Sequence, residues 1–368
     1  MHVSVWHVAR ANAGINGPTV RFGKIRGILH ERERAKVQRL AQLRQWLESH
    51  YPGRKIDLTP ASADASFRRY FRARIDGEPQ TRIVMDAPPD KEDTGPFVAV
   101  AELFGAAGAH VPTVLAREPE AGFLLLTDLG DTTYLASLDA DSAHELYADA
   151  LGALVCIQRA SAPDVLPAYD RDKLLAEMRL FPEWYLVRHK HVALSETESK
   201  LLEKTFASIA AINLAEASVF VHRDFHSRNL MVTDQGAGVL DFQDAVYGPI
   251  SYDLVSLFKD AYIDWDEAFV LDMLARYWET ARQIGLPVPD DFAHFHRDFE
   301  WMGVQRHLKV LGIFARLCHR DGKDGYLADM PRVLSYLRKA CERYGELKPI
   351  LKLLERSDPI DTTVGYTF

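Results

Sequence analysis

Val219-Phe220-Val221-His222-Arg223-Asp224-Phe225-His226-Ser227-Arg228-Asn229-Leu230-Met231-Val232, with Gly238-Val239-Leu240-Asp241-Phe242-Gln243-Asp244 after it, is the stretch on which the fold turns. As a pattern it is H-x-D-x-H-x-x-N, with D-F twelve residues beyond the asparagine. Each polar group follows an apolar run that reads as a strand. The turn residues Asp234-Gln235-Gly236 lie between apolar flanks, so residues 230–240 predict a hairpin that brings Asn229 and Asp241 together. Phosphoryl transfer asks little covalent work of a protein; it needs positioning and charge neutralisation. Asp224 is the candidate to orient an attacking hydroxyl and take its proton. Asn229 and Asp241 are candidate oxygen ligands for Mg²⁺. A lone H-x-D would be ordinary for a surface loop, and the combined spacing makes the pattern specific.

Outward from that stretch, residues 31–49 predict a first helix, with Val37, Leu40, Leu43 and Leu47 at helical spacing and Pro52-Gly53 ending it. Residues 56–86 have β texture. Ile56-Asp57-Leu58 leads into a turn of small residues at 60–66, then an aromatic- and arginine-rich strand to Ile75, a turn at 76–79, and Thr81-Arg82-Ile83-Val84-Met85. Two strands joined by small residues resemble a phosphate-covering loop, although those residues alone fit a plain hairpin better. A helix at 97–103 and short strands at 113–116 and 122–127 follow. The chain is helical in pattern over 140–210 and again from 266, punctuated by Pro287, Pro289, Pro331 and Pro349.

The 368 residues suit two lobes sharing a cleft. A net charge of −8 argues against general nucleic-acid binding. Three cysteines without a CxxC argue for a reducing, cytoplasmic setting. No apolar run approaches the ~20 residues that span a bilayer. The first thirty residues are basic and acid-free, as targeting peptides are, but Asn12-Ala13-Gly14 and Asn16-Gly17-Pro18 break any helix; they read as a loose tail.

With these residues in view, the chain resembles the aminoglycoside phosphotransferase and choline kinase superfamily. His226 stands where protein kinases usually carry lysine, and Gln243 follows Asp241-Phe242 in place of glycine. Asp64-Ala65-Ser66-Phe67-Arg68-Arg69-Tyr70-Phe71-Arg72, Val84-Met85-Asp86-Ala87-Pro88-Pro89, Asp241 to Ile250 and Arg306 to Leu317 resemble the anomeric N-acetylmuramate/N-acetylglucosamine kinases of bacterial cell-wall recycling. The resemblance runs over about residues 35–345.

It implies an α+β, bilobal, protein-kinase-like fold: a tail at 1–30, a small N-terminal lobe with an antiparallel sheet at 31–129, and a larger, mainly helical lobe at 130–368. It also implies ATP and Mg²⁺ as cofactors, an amino sugar phosphorylated at its C1 hydroxyl, and no nucleic-acid, membrane or obligate protein partner. ATP would lie under the loop at 61–66, with Ser62, Ser66 and Arg68 in contact, and adenine would meet the chain near Leu126 and Asp128. Asp253 matches a family aspartate that we expect to brace the catalytic loop.

The third strand, Ile83-Val84-Met85-Asp86, lacks the usual lysine for the phosphates. Arg68, Arg69 and Lys91 are candidates to replace it, Arg82 a weaker one. Between residues 295 and 344 ten basic residues face six acids. Arg306 and Lys309, three apart on one helix face, are the candidate ligands for a lactyl carboxylate. Two other readings compete. One is a choline-like or aminoglycoside-like kinase, with Trp184, Trp265, Trp278, Trp301 and Tyr326 as an aromatic cage. The other is a non-catalytic ATP-binding scaffold, which rests on the missing lysine.

Overall fold

Strict alternation along the central strands builds the first layer. The computed structural model describes residues 37–63 and 67–359, without the side chains of 62 and 63; the expected tail at 1–30 lies outside that range. After helix α1 (residues 37–50) come β1 (Ile56–Ala63), β2 (Arg69–Ile75) and β3 (Arg82–Asp86), then helix α2 (Gly95–Ala106), β4 (Val114–Glu118) and β5 (Phe123–Thr127). The five strands form one antiparallel sheet in the order β1-β2-β3-β5-β4. Val84, Phe123 and Leu125 point to the face that packs on Leu43 and Leu47 of α1. Met85, Leu124 and Leu126 point to the other face, with Phe97 and Phe104 of α2. A period of two thus gives the sheet two buried faces.

One expectation changes here. The small-residue turn does not begin at Pro60; β1 runs through it to Ala63. Proline is tolerated because β1 is an edge strand and the register shifts between Pro60 and Ser62, a bulge.

The second lobe is mainly helical. It contains α3 (Tyr134–Ser137), α4 (Ala143–Arg159), α5 (Arg171–Met178), a π-helical segment (Phe181–His189) and α6 (Glu196–Asn213). Four short strands follow, β6 (Ser218–Val221), β7 (Leu230–Thr233), β8 (Gly236–Val239) and β9 (Val246–Pro249), then α7 (Tyr252–Phe258), α8 (Glu267–Gln283), α9 (Phe292–Asp321), α10 (Met330–Arg343) and α11 (Lys348–Ser357). β7 and β8 are the expected hairpin, and β6 pairs with β9. Pro331 and Pro349 occupy first-turn positions of α10 and α11, where a missing N–H costs nothing.

Helix α9 is the axis of this lobe and is buried along most of its length. Gly312 allows the chain at Leu180 to lie against it: a β-carbon there would fall 2.4 Å from Leu180 Cβ. No helix among the described residues is long and apolar enough to cross a membrane.

Glu216, just past α6, offers a stability test away from the cleft. Its Oε2 accepts the Ser251 N–H at 3.1 Å, while Oε1 is buried without a partner. Burial pushes this carboxyl up to about 8. Because the folded value exceeds the unfolded one, the fold holds an extra proton between the two and loses stability as pH rises through about 4.5 to 8. Glu216→Gln is therefore expected to leave the melting temperature at pH 5 nearly unchanged. At pH 9 it should stabilise by on the order of 2 kcal/mol, measured by thermal unfolding at the two pH values.

Candidate active site

The loop of the H-x-D-x-H-x-x-N motif hangs between β6 and β7, and a buried carboxylate from outside it sets its shape. Asp253, on the first turn of α7, accepts the His222 N–H at 2.7 Å on Oδ2 and the Arg223 N–H at 3.0 Å on Oδ1. That is the bracing role expected of it. Burial pushes its carboxyl up to about 7, against the two backbone donors that favour the charged form. The fully buried His222 ties the loop to the next strand end: Nε2 donates to the Leu240 carbonyl at 2.9 Å, and Nδ1 accepts the Asp224 N–H at 3.2 Å. Burial lowers this imidazole to about 4, so it is neutral in that role. Arg223 and Asp241 both adopt positive φ, 78° and 61°, which costs a non-glycine residue energy and is typical of functional turns.

These constraints bring Asp224, Asn229 and Asp241 together. Asn229 Nδ2 donates to the Asp224 carbonyl at 3.0 Å and approaches Asp241 Oδ2 at 3.4 Å. The amide nitrogen is thus committed, and the amide oxygen is the ligand atom Asn229 has to offer. Gln243 Nε2 donates to Asp241 Oδ1 at 2.9 Å. From the other lobe, Arg68 Nη2 reaches Asp241 Oδ1 at 3.5 Å.

Under the loop lies a cluster of buried charge. Glu177 of α5 takes an ion pair from Arg223 at 2.5 Å, a hydrogen bond from Gln305 at 3.0 Å and one from the Tyr169 hydroxyl. Lys309 lies 3.6 Å from Glu177 and donates to the Tyr252 hydroxyl at 2.9 Å. Arg306 donates to the Arg223 carbonyl at 3.2 Å and lies 3.8 Å from Asp224 Oδ1. Burial opposes the charge on Asp224, but Lys309 and Arg306, with His226 and Arg223, outweigh it and hold the carboxyl well below the usual range.

The other predicted residues fall as follows. Ser66 and the Ser62 side chain lie outside the described residues. Leu126 is buried with its side chain in the core, so only its backbone is on offer there. The Asp128 carboxylate is already engaged: it takes a two-pronged pair from Arg72, at 2.6 and 3.1 Å, and hydrogen bonds from Thr81 at 2.6 Å and the Gly130 N–H at 3.0 Å. Burial resists its charge and these donors outweigh it, which keeps the carboxyl below its ordinary value. Arg306 and Lys309 are not on an open helix face; they are 4% and 5% exposed, in the floor under Asp224. Of the candidate replacement cations, Arg69 is paired with Asp86, Arg82 with Glu78 and Lys91 with Asp90. Arg68 is the one seen beside Asp241.

The five cage aromatics do not gather. Trp301 packs on Tyr344, Trp265 donates to the Tyr147 hydroxyl, Trp278 donates to the Pro289 carbonyl, Trp184 lies under Arg188, and Tyr326 packs on Phe314. Sequence reasoning passed over Glu177, Tyr169 and Tyr252. Glu177 is 46 residues from Arg223 on a separate helix, and no local spacing announces it.

A sheet lobe, a helical lobe and an aspartate loop braced by a buried carboxylate define a phosphotransferase of the kinase-like class. The chain belongs to the phosphotransferase enzyme family abbreviated APH, whose model matches residues 57–288. It is 50% identical to an N-acetylmuramate/N-acetylglucosamine kinase of Neisseria meningitidis serogroup B over 90% of this chain and all of that one. It is 48% identical to the enzyme of the same description from Pseudomonas aeruginosa, over 86% of this chain and 96% of that one. Among solved structures it is similar in fold to an ADP-bound aminoglycoside phosphotransferase, with TM-score 0.53, 15% identity, and coverage of 82% of this chain and 98% of that one. A choline kinase from Cryptosporidium parvum superposes with TM-score 0.55 and 12% identity, covering 81% of this chain and 92% of that one. The chain is a small-molecule kinase, and its family implies ATP as phosphate donor.

Proposed function

We propose that this enzyme transfers the γ-phosphate of ATP, with Mg²⁺, to the anomeric C1 hydroxyl of N-acetylmuramate and N-acetylglucosamine, in the cytoplasm, as a step of peptidoglycan recycling. The lobes meet near residue 129. The observation that carries the chemistry is the approach of Asn229 and Asp241 to 3.4 Å beside Asp224. The acceptor is carried by the likeness to enzymes described as acting on these two sugars.

The donor set suits Mg²⁺. Among the described residues no three His, Cys, Asp or Glu side chains converge into a protein cage. One carboxylate and one amide oxygen are what an ion needs that keeps its waters and binds substrate phosphates. Asn229 and Asp241 would hold it, and the ion supplies neutralisation of phosphate charge.

Asp224 orients the C1 hydroxyl and accepts its proton. The cations beneath it keep it ionised, which makes it a weak base. A hemiacetal hydroxyl is more acidic than an ordinary alcohol, so a weak base suffices. Arg306 and Lys309 act here by holding Asp224, through the contacts given above, and we assign them no sugar contact.

Arg68 takes the part of the absent strand lysine, a guanidinium for the phosphates next to a metal ligand. Arg68→Ala is expected to raise the KM for ATP by about 10- to 100-fold, the value of a charged hydrogen bond, with a smaller effect on the sugar KM. Initial-rate kinetics in both substrates checks it.

The reading is tested by ADP release with Mg-ATP against N-acetylmuramate, N-acetylglucosamine, choline and kanamycin, with Asp224→Asn as the blank. Turnover on the two sugars that vanishes in the variant supports it. Turnover only on choline or kanamycin overturns the acceptor, and ATP binding without turnover on any of the four favours the scaffold.

A further inference from the structure

One cation in the catalytic loop is left without a task by the chemistry above. Arg228 stands four residues after Asp224, between Ser227 and Asn229, and is exposed. Its guanidinium lies over the Tyr262 ring, 3.6 Å from the centroid. Among the described residues it makes no hydrogen bond, and its one recorded ion pair is loose, 3.9 Å to Asp329 Oδ2. Asp329 is shared with Arg332, at 3.7 Å. A guanidinium held flat by stacking, with its donor fork unspent, is pre-organised for a planar, two-oxygen anion.

Its surroundings tie it to the acceptor side of the cleft. Tyr262 packs edge-on against His226, ring centroids 5.3 Å apart, and His226 is two residues from Asp224 in the same loop. Both Asp224 and Arg228 act electrostatically on His226. The loop below is fixed: Asp260 Oδ2 accepts both the N–H and the hydroxyl of Ser227, at 3.0 and 2.5 Å, and Asp260 Oδ1 accepts the Tyr262 N–H at 3.0 Å. The buried Phe314 backs Tyr262 from the core, ring centroids 6.4 Å apart, and holds that ring in place under Arg228.

We propose that Arg228 receives the lactyl carboxylate of N-acetylmuramate and so sets the preference between the two acceptors. This rests on the sugar-kinase reading and deepens it. N-acetylglucosamine has a hydroxyl where N-acetylmuramate carries the lactyl ether, so only one acceptor can use a guanidinium. Arg306 and Lys309, the two cations expected to meet this anion, are already spent beneath Asp224.

The test is kcat/KM of wild type, Arg228→Met and Arg228→Lys for both sugars at saturating Mg-ATP. Arg228→Met is expected to lower kcat/KM for N-acetylmuramate by about 30-fold, mostly through KM, while N-acetylglucosamine changes by less than about threefold. Arg228→Lys keeps the charge without the fork and is expected to fall between. A loss equal on both sugars, or no loss on either, overturns the proposal. Wild-type protein inert on both sugars overturns the sugar-kinase reading, and the proposal with it.

Discussion

Asp224→Asn is expected to lower kcat by about 10³-fold while leaving ATP affinity within about twofold of wild type. The asparagine is isosteric and sits where the main chain is already held, its N–H by His222 Nδ1 and its carbonyl by Asn229 Nδ2 and the His226 N–H. The loop is held by Asp253 and His222, neither of which depends on the Asp224 side chain. What is lost is the proton acceptor, and with it the orientation of the attacking hydroxyl. The measurement is steady-state kinetics beside ATP titration by calorimetry. A kcat within tenfold of wild type would remove Asp224 from the role of base.

Lys309→Met is expected to act on two observables at once. Lys309 is 5% exposed and neutralises Glu177 and, at longer range, Asp224. Removing it leaves two carboxylates to share Arg223 and Arg306. Breaking a buried charge cluster from one side costs about 3 kcal/mol of stability. The second effect is on acidity. The lysine favours ionised Asp224, so its loss raises the Asp224 pKa, and the base becomes protonated at a higher pH. The acid limb of the kcat/KM profile is expected to move to higher pH. A purely structural role for Lys309 would lower stability and leave that limb where it was, so denaturant melts and a pH–rate profile together decide the matter.

The same contrast runs through the rest of the site. H-x-D-x-H-x-x-N and D-F were legible as a unit because their partners are close in the chain: a two-strand hairpin carries Asn229 to Asp241, and its turn residues are local signals. The helix at 37–50 and the strands of the sheet were legible for a similar reason, since periodicity is a property of neighbouring residues. The limit of such signals shows at Pro60. A small, proline-bearing run reads as a turn, yet pairing with β2 across a bulge keeps it in the strand.

Length suited two lobes, and the motif, with the family resemblance it carries, pointed to a kinase-like fold and to Asp224, Asn229 and Asp241 as its candidate site. The tertiary structure alone decided where the cations went. Arg306 and Lys309 share a face of α9, as their spacing requires, but α9 is the axis of the lobe, so that face is floor and not surface. Asp128 directly follows β5, but Arg72, from a strand 56 residues away, reaches across to claim its carboxylate. Arg68 and Arg228 carried no local mark separating them from their neighbours. The first is distinguished by its contact with Asp241, 173 residues distant, and the second by the aromatic ring under its guanidinium. Whether a charge is spent or available depends on what the fold brings against it, and that partner is rarely nearby in the chain.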